Sequence, residues 1–148
     1  MRTVLLLLLL LVVVGCGGEP PLYPITGRVT LNGKSYERLI VYLRPIDQKI
    51  DKFNLGVGET DAAGTLGLRS TAGAGIAAGK YRVSFSCMAK KNGQVVDALS
   101  DKVDDNRTLE TVELVPAPYC EDDNSPVEFE VKSQGENRFE FDIPSIAQ

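Results

Sequence analysis

The chain of 148 residues contains no histidine and no tryptophan. Without an imidazole, Ser-His-Asp and Cys-His nucleophilic arrangements lose their base, and His-containing zinc or iron sites lose a ligand. Any catalysis would fall to carboxylates, lysine, tyrosine or thiols. With no tryptophan, and five phenylalanines and five tyrosines in all, there is little from which to build the exposed aromatic platform on which sandwich modules bind sugars. Positive charge is also scarce, with 16 Lys and Arg against 20 Asp and Glu and a net charge of -4. That balance does not supply the basic stripe that phosphate backbones require, so no nucleic-acid partner is expected. Long apolar runs are limited to one, Val4 to Val14.

That run is informative because of its length and of the cysteine just behind it. A helix over these residues would extend about 16 Å, against a hydrocarbon thickness of about 30 Å. It is too short for a comfortable span, and behind the single charge of Arg2 it suits a secretory signal. Val13-Val14-Gly15-Cys16 closes it and resembles the lipobox of bacterial lipoproteins. The resemblance implies that residues 1–15 form a signal helix that is removed, and that Cys16 becomes the lipidated first residue. Acyl chains anchor a protein at about 0.8 kcal/mol per buried CH2, so two or three suffice. Export and attachment to the cell envelope by lipid are the consequence. Gly17 stands where many lipoproteins kept at the inner membrane carry aspartate, which favours the outer membrane. Removing the leader takes away Arg2 and no acid, leaving 15 basic against 20 acidic side chains on about 133 residues, enough for one domain with a core.

Cys87 and Cys120 then lie in an oxidising compartment, where an even pair is a disulfide candidate. Closing a loop of about 34 residues would stabilise by about 3–4 kcal/mol on the chain-entropy model. The alternative is one buried thiol and one exposed loop thiol, because spacing alone does not bring two Cα atoms together.

Cys16 to Pro24 forms a Pro- and Gly-rich tether. From Ile25 to Pro144 the pattern has period two. Ile25, Gly27, Val29 and Leu31 alternate with polar residues up to Asn32-Gly33, a strong hairpin-turn signal. Arg38 to Arg44 is apolar on both faces and belongs near the middle of a sheet, with Pro45 ending it. Leu55 and Val57, then Leu66 and Leu68, mark two short strands around a turn at Asp61 to Gly64. The Ala- and Gly-rich stretch Thr71 to Gly79 reads as a loop. Tyr81, Val83, Phe85 and Cys87 share an inward face. Met88 to Arg107 reads as an irregular insertion, in which the spacing of Val95, Val96, Leu99 and Val103 suggests one or two helical turns. Val112 to Val115 is another strand. Val127, Phe129 and Val131, and then Phe139, Phe141 and Ile143, alternate with charged residues on either side of a turn at Gln134 to Glu136, which puts all four phenylalanines from Phe85 onward on core faces. About seven short strands without a long amphipathic helix predict an all-β, two-sheet sandwich over 25–144, with a tail at 145–148.

Several segments resemble carboxypeptidase-regulatory-like domains: Pro24-Ile25-Thr26-Gly27-Arg28-Val29-Thr30 with Asn32-Gly33-Lys34, Thr60-Asp61-Ala62-Ala63-Gly64-Thr65, Ala78-Gly79-Lys80-Tyr81-Arg82-Val83, and Asn137-Arg138-Phe139-Glu140-Phe141. Leu114-Val115-Pro116-Ala117-Pro118-Tyr119 and Ser125-Pro126 look like the version found in small exported lipoproteins. The resemblance implies a seven-stranded Greek-key β-sandwich of the transthyretin or immunoglobulin kind. Its motifs are turns and strand starts and carry no chemistry.

Two acidic clusters could gather oxygens around Ca2+. One is Asp97, Asp101, Asp104 and Asp105; the other is Glu121, Asp122, Asp123 and Asn124. Neither has the spacing of a dedicated calcium loop, so solvated loops are expected, and no metal, cofactor or catalytic residue is assigned. The expected function is a non-catalytic, lipid-anchored scaffold, adhesion or docking module that meets an envelope protein or polysaccharide. The alternative is a module that binds carbohydrate or Ca2+.

Overall fold

A computed structural model of the protein describes residues 17–100 and 110–145. The leader, Cys16, Asp101, Asp104, Asp105 and the last three residues lie outside the described residues. Among the described residues the chain is all-β, with no helix long and apolar enough to cross a membrane. Ten strands succeed one another: β1 Ile25–Leu31, β2 Ile40–Pro45, β3 Gly56–Thr60, β4 Leu66–Ser70, β5 Gly73–Ala74, β6 Gly79–Ser86, β7 Met88–Lys90, β8 Thr111–Glu113, β9 Val127–Val131 and β10 Asn137–Ile143. They exceed the roughly seven expected, and β5 and β7 are among the additions, forming where the residue pattern suggests a loop and an irregular insertion.

One layer is a six-stranded sheet in the order β5-β4-β3-β2-β6-β9, antiparallel throughout. Its middle is β2, as its two apolar faces require: Ile40, Val41 and Leu43 are all buried. Facing it, β1 and β10 run parallel in a two-stranded sheet, with Ile25 beside Asn137 and Leu31 beside Ile143. A small β7-β8 sheet completes the set. At one side the layers are joined by an Arg28–Thr65 bridge, with the Val29 N–H donating to Gly64 O at 2.9 Å. Neighbours therefore run β9-β6-β2-β3-β4 and then, across that bridge, β1-β10 around a single core of Val29, Leu43, Tyr81, Val83, Phe85 and Ile143. At the other side β9 and β10 do not pair.

Three local findings correct the period-two reading. Asn32-Gly33 does turn tightly, with φ of 51° and 74°, but it closes only Leu31 onto Lys34 and builds no hairpin with β2. Instead the turn is held by β10. The Asp142 carboxylate accepts from Gly33 N–H and Thr30 Oγ1, each at 2.7 Å, and Asn32 N–H donates to Ile143 O at 2.8 Å. In β3 the phase is the reverse of that expected, because Gly56 and Gly58 face the interior while Leu55 is 40% exposed. There is no room for side chains there, since a Cβ on Gly58 would stand 2.3 Å from Gly67 O and one on Gly56 would stand 2.8 Å from Ile76 Cδ1. Finally, Thr71 to Gly79 holds Ile76, which is fully buried and exchanges backbone hydrogen bonds of 2.8 and 3.0 Å with Tyr23. The fold thus begins at Tyr23, inside the expected tether, and Glu19 is already paired with Lys52 at 2.6 Å.

The tight β3-β4 approach yields a paired test. Gly58→Ala forces backbone apart and should cost about 1–3 kcal/mol, the usual range for overpacking, whereas a Cβ on Gly67 meets nothing within 4 Å and Gly67→Ala should be neutral or slightly stabilising. Urea unfolding midpoints of the two variants check this, and equal midpoints would refute the close approach.

Candidate functional site

The acidic loop before β9 has a structural use. Arg44 on β2 and Arg82 on β6 are direct cross-strand neighbours, an arrangement that repels unless countercharges are supplied. Asp122 and Asp123 supply them. Asp123 Oδ1 lies 2.9 Å from Arg44 Nη1, Asp122 Oδ2 lies 3.6 Å from Arg44 Nη2, and Arg82 Nη1 donates to the Asp123 carbonyl at 2.6 Å. Ser84 Oγ also donates to Asp122 Oδ1 at 2.6 Å. Glu121 accepts from the Asn124 side chain. Asp122 and Asp123 of the second cluster considered for Ca2+ are thus turned to arginines, and Asp97 of the first lies 3.8 Å from Arg38. Among the described residues no three His, Cys, Asp or Glu side chains converge as a metal site.

Cys87 and Cys120, the disulfide candidates, are free thiols in the structure. Cys87 is fully buried where the chain passes from β6 to β7, and Cys120 is half-buried against the same core. Glu113 of β8 organises this corner. Its carboxylate accepts from Cys87 N–H at 2.7 Å, Val115 N–H at 2.9 Å and Ser86 Oγ at 2.6 Å. Burial pushes the Cys87 thiol up to about 11, with the Glu113 charge adding to the effect. Burial also raises Cys120, with Glu113 again contributing. Thiols held protonated in this way are poor nucleophiles and poor metal ligands at neutral pH.

The most distinctive surface is the open side. β9 and β10 are consecutive and joined by a short turn, yet they enter different layers. Asn137, itself buried, controls the parting: Lys132 N–H donates to its Oδ1 at 2.8 Å and its Nδ2 donates to Lys132 O at 3.0 Å. From that corner the strands diverge over a groove of about 510 Å3, lined by Phe129, Phe139, Phe141 and Tyr119 with Glu128, Arg138 and Glu140 at its edges. The rings are mutually packed. Phe129 meets Phe139 edge-on at 5.1 Å, Phe85 stacks on Phe141 at 5.5 Å, and Tyr119 lies 6.2 Å from Phe141. Phe85 and Phe139 are buried and Phe129 and Phe141 pack against the core, on the faces expected of them, but Phe129, Phe141 and Tyr119 are only half-buried. Alternation assigns a ring to the inward face of its strand but does not report that the neighbouring layer stops short. The volume is in the range of ordinary ligand sites, and the lining offers packing and hydrogen-bonding groups without an activated nucleophile.

Free thiols of unequal burial make a direct prediction. With no reductant present, iodoacetamide at pH 8 should modify Cys120 of the folded protein well before Cys87, and both after denaturation, as read by peptide mass; failure of both to react after denaturation would establish a bridge. No protein-family model, no curated protein and no solved structure matches the chain.

Proposed function

We propose that the protein is a lipid-anchored component of the cell envelope whose all-β domain is a non-catalytic docking module for an envelope protein or polysaccharide. The observation that carries this reading is Cys16 placed directly behind the apolar run Val4 to Val14, in the sequence Val13-Val14-Gly15-Cys16. A resemblance to carboxypeptidase-regulatory-like domains, and with it the Greek-key sandwich of the transthyretin kind, belongs to the same reading. The mechanism is positional. Acyl chains on Cys16 hold the domain at a leaflet, with the outer membrane favoured by Gly17. The short stretch from Gly17 to Leu22 limits its reach. Sheet edges then meet the partner, and a free strand edge is a ready template for an incoming strand.

Intact-mass analysis of protein from native membranes should return a chain beginning at Cys16 and carrying two or three acyl groups. Cys16→Ser should release a folded domain from the membrane fraction, provided it is exported. A native chain beginning at Met1, or at an unmodified Cys16, would overturn the anchoring. The docking role is tested separately by placing a photocrosslinker at exposed positions around the domain in intact cells; a domain that crosslinks to nothing from any face would contradict it.

A further inference from the structure

We infer that the seam between β9 and β10 is the docking site, and that its occupant is an extended segment of a partner protein in which apolar residues alternate with lysine or arginine. This inference rests on the docking-module reading and names the partner chemistry for it.

The backbone makes the first case. β9 is paired by β6 on one side and, among the described residues, by no strand on the other. β10 is likewise paired only by β1. Going round the core, β9 to β4 form one ladder, β1 is joined to it at the Arg28–Thr65 bridge and pairs with β10, but among the described residues no strand pairing links β10 to β9, and the groove marks that gap. A segment of about five residues laid along β9 would continue its ladder, since β9 itself has five.

The side chains define what that segment must be. Successive residues of a strand point to opposite faces, so half of the incoming side chains would enter the groove and half would stand on the outer face. Those entering would meet Phe129, Phe139 and Phe141 and must be apolar. Those outside would stand beside Glu128 and Glu130, the exposed residues of β9. Neither glutamate makes an ion pair among the described residues. Arg82, the cross-strand neighbour of Glu128, is turned to the Asp123 carbonyl, and Lys80, opposite Glu130, does not reach it.

The carboxylates of β10 are already engaged: Glu140 by Arg138, and Asp142 by Gly33 and Thr30. From Val127 to Ile143 there are Glu128, Glu130, Glu136, Glu140 and Asp142 against Lys132 and Arg138. The outward residues of the occupant are therefore basic, because opposite charges in direct cross-strand positions attract and like charges repel. The same rule disfavours a second copy of this chain, since pairing β9 with β9 would set glutamates against glutamates.

The test uses the full-length protein in an uncharged detergent and seven-residue peptides. One alternates valine and lysine, one alternates valine and glutamate, and a third is the valine-lysine peptide N-methylated at alternate residues so that one backbone edge cannot donate. Amide hydrogen exchange read by mass spectrometry locates binding, and titration of the protection gives affinity. The valine-lysine peptide should slow exchange in 127–131 and 137–143, and the N-methylated peptide should not. Glu128→Lys with Glu130→Lys, both on exposed side chains, should weaken valine-lysine binding by about tenfold or more and turn the preference toward valine-glutamate.

Equal binding of the N-methylated peptide, indifference to the double substitution, or protection of the seam by cellohexaose but by no peptide would each overturn the inference. Peptide protection confined to another face would overturn the seam and leave a docking module standing. Protection nowhere would overturn the seam, while the in-cell crosslink still decides the docking role.

Discussion

The side-chain amide of Asn137 does what a backbone rung would otherwise do, and the architecture depends on where it does it. By exchanging two hydrogen bonds with the backbone of Lys132, it closes the β9-β10 turn at its base while leaving the strands beyond free to part. Its own backbone meanwhile opens the ladder with β1, opposite Ile25. A buried amide left without these partners would cost about 1–3 kcal/mol, so the corner is well specified. Once β10 is directed away from β9, it lies parallel to the first strand of the domain. A parallel pair cannot be joined by a tight turn, and here nearly the whole domain is the connection. The far end of the pair is secured by Asp142, whose carboxylate caps the Asn32-Gly33 turn. That carboxylate is held below its ordinary range by the hydrogen bonds from Gly33 and Thr30.

Charge and apolar surface are sorted consistently with this arrangement. Inside, the aromatic rings of Phe85, Phe139 and Phe141 form a packed file between the layers, and each such pair adds about 0.5–1.5 kcal/mol beyond burial. Outside, two adjacent arginines on β2 and β6 draw down the loop that carries Asp122 and Asp123. Glu113 then ties β8 to the β6-β7 junction through hydrogen bonds from Ser86 and Cys87. Acidic residues that could have been ligands in another setting are here consumed as countercharges and acceptors. Glu128 and Glu130, along the open edge, make no ion pair among the described residues.

Much of this was legible from residue order. β1, β2, β6, β9 and β10 lie where alternation places them, and the two-sided apolarity of Leu39 to Leu43 correctly puts β2 in mid-sheet. The hidden part depends on partners rather than on pattern. Asn32-Gly33 has the dihedrals of a hairpin turn, but its chemistry cannot say that Asp142, far along the chain, will claim it. Gly56 and Gly58 are core residues because neighbours leave no space for a side chain, Ile76 over Gly56 and the Gly67-Leu68 backbone of β4 over Gly58, and those neighbours are not visible in β3 itself. Ile76 sits in a stretch too rich in alanine and glycine to show a period, yet it is buried and bonded to Tyr23. The half-exposure of Phe129 and Phe141 likewise arises only when β9 and β10 enter different layers. The buried Asn137 directly after the turn is the one local sign of that parting.

The most direct test of this account is the pattern of inter-strand nuclear Overhauser contacts in isotopically labelled protein. Parallel contacts running from Ile25 beside Asn137 to Leu31 beside Ile143, with no contacts between backbone Hα atoms of 127–131 and 137–141, are the predicted result. An antiparallel ladder of Hα contacts joining β9 to β10 as a hairpin would close the seam and contradict it.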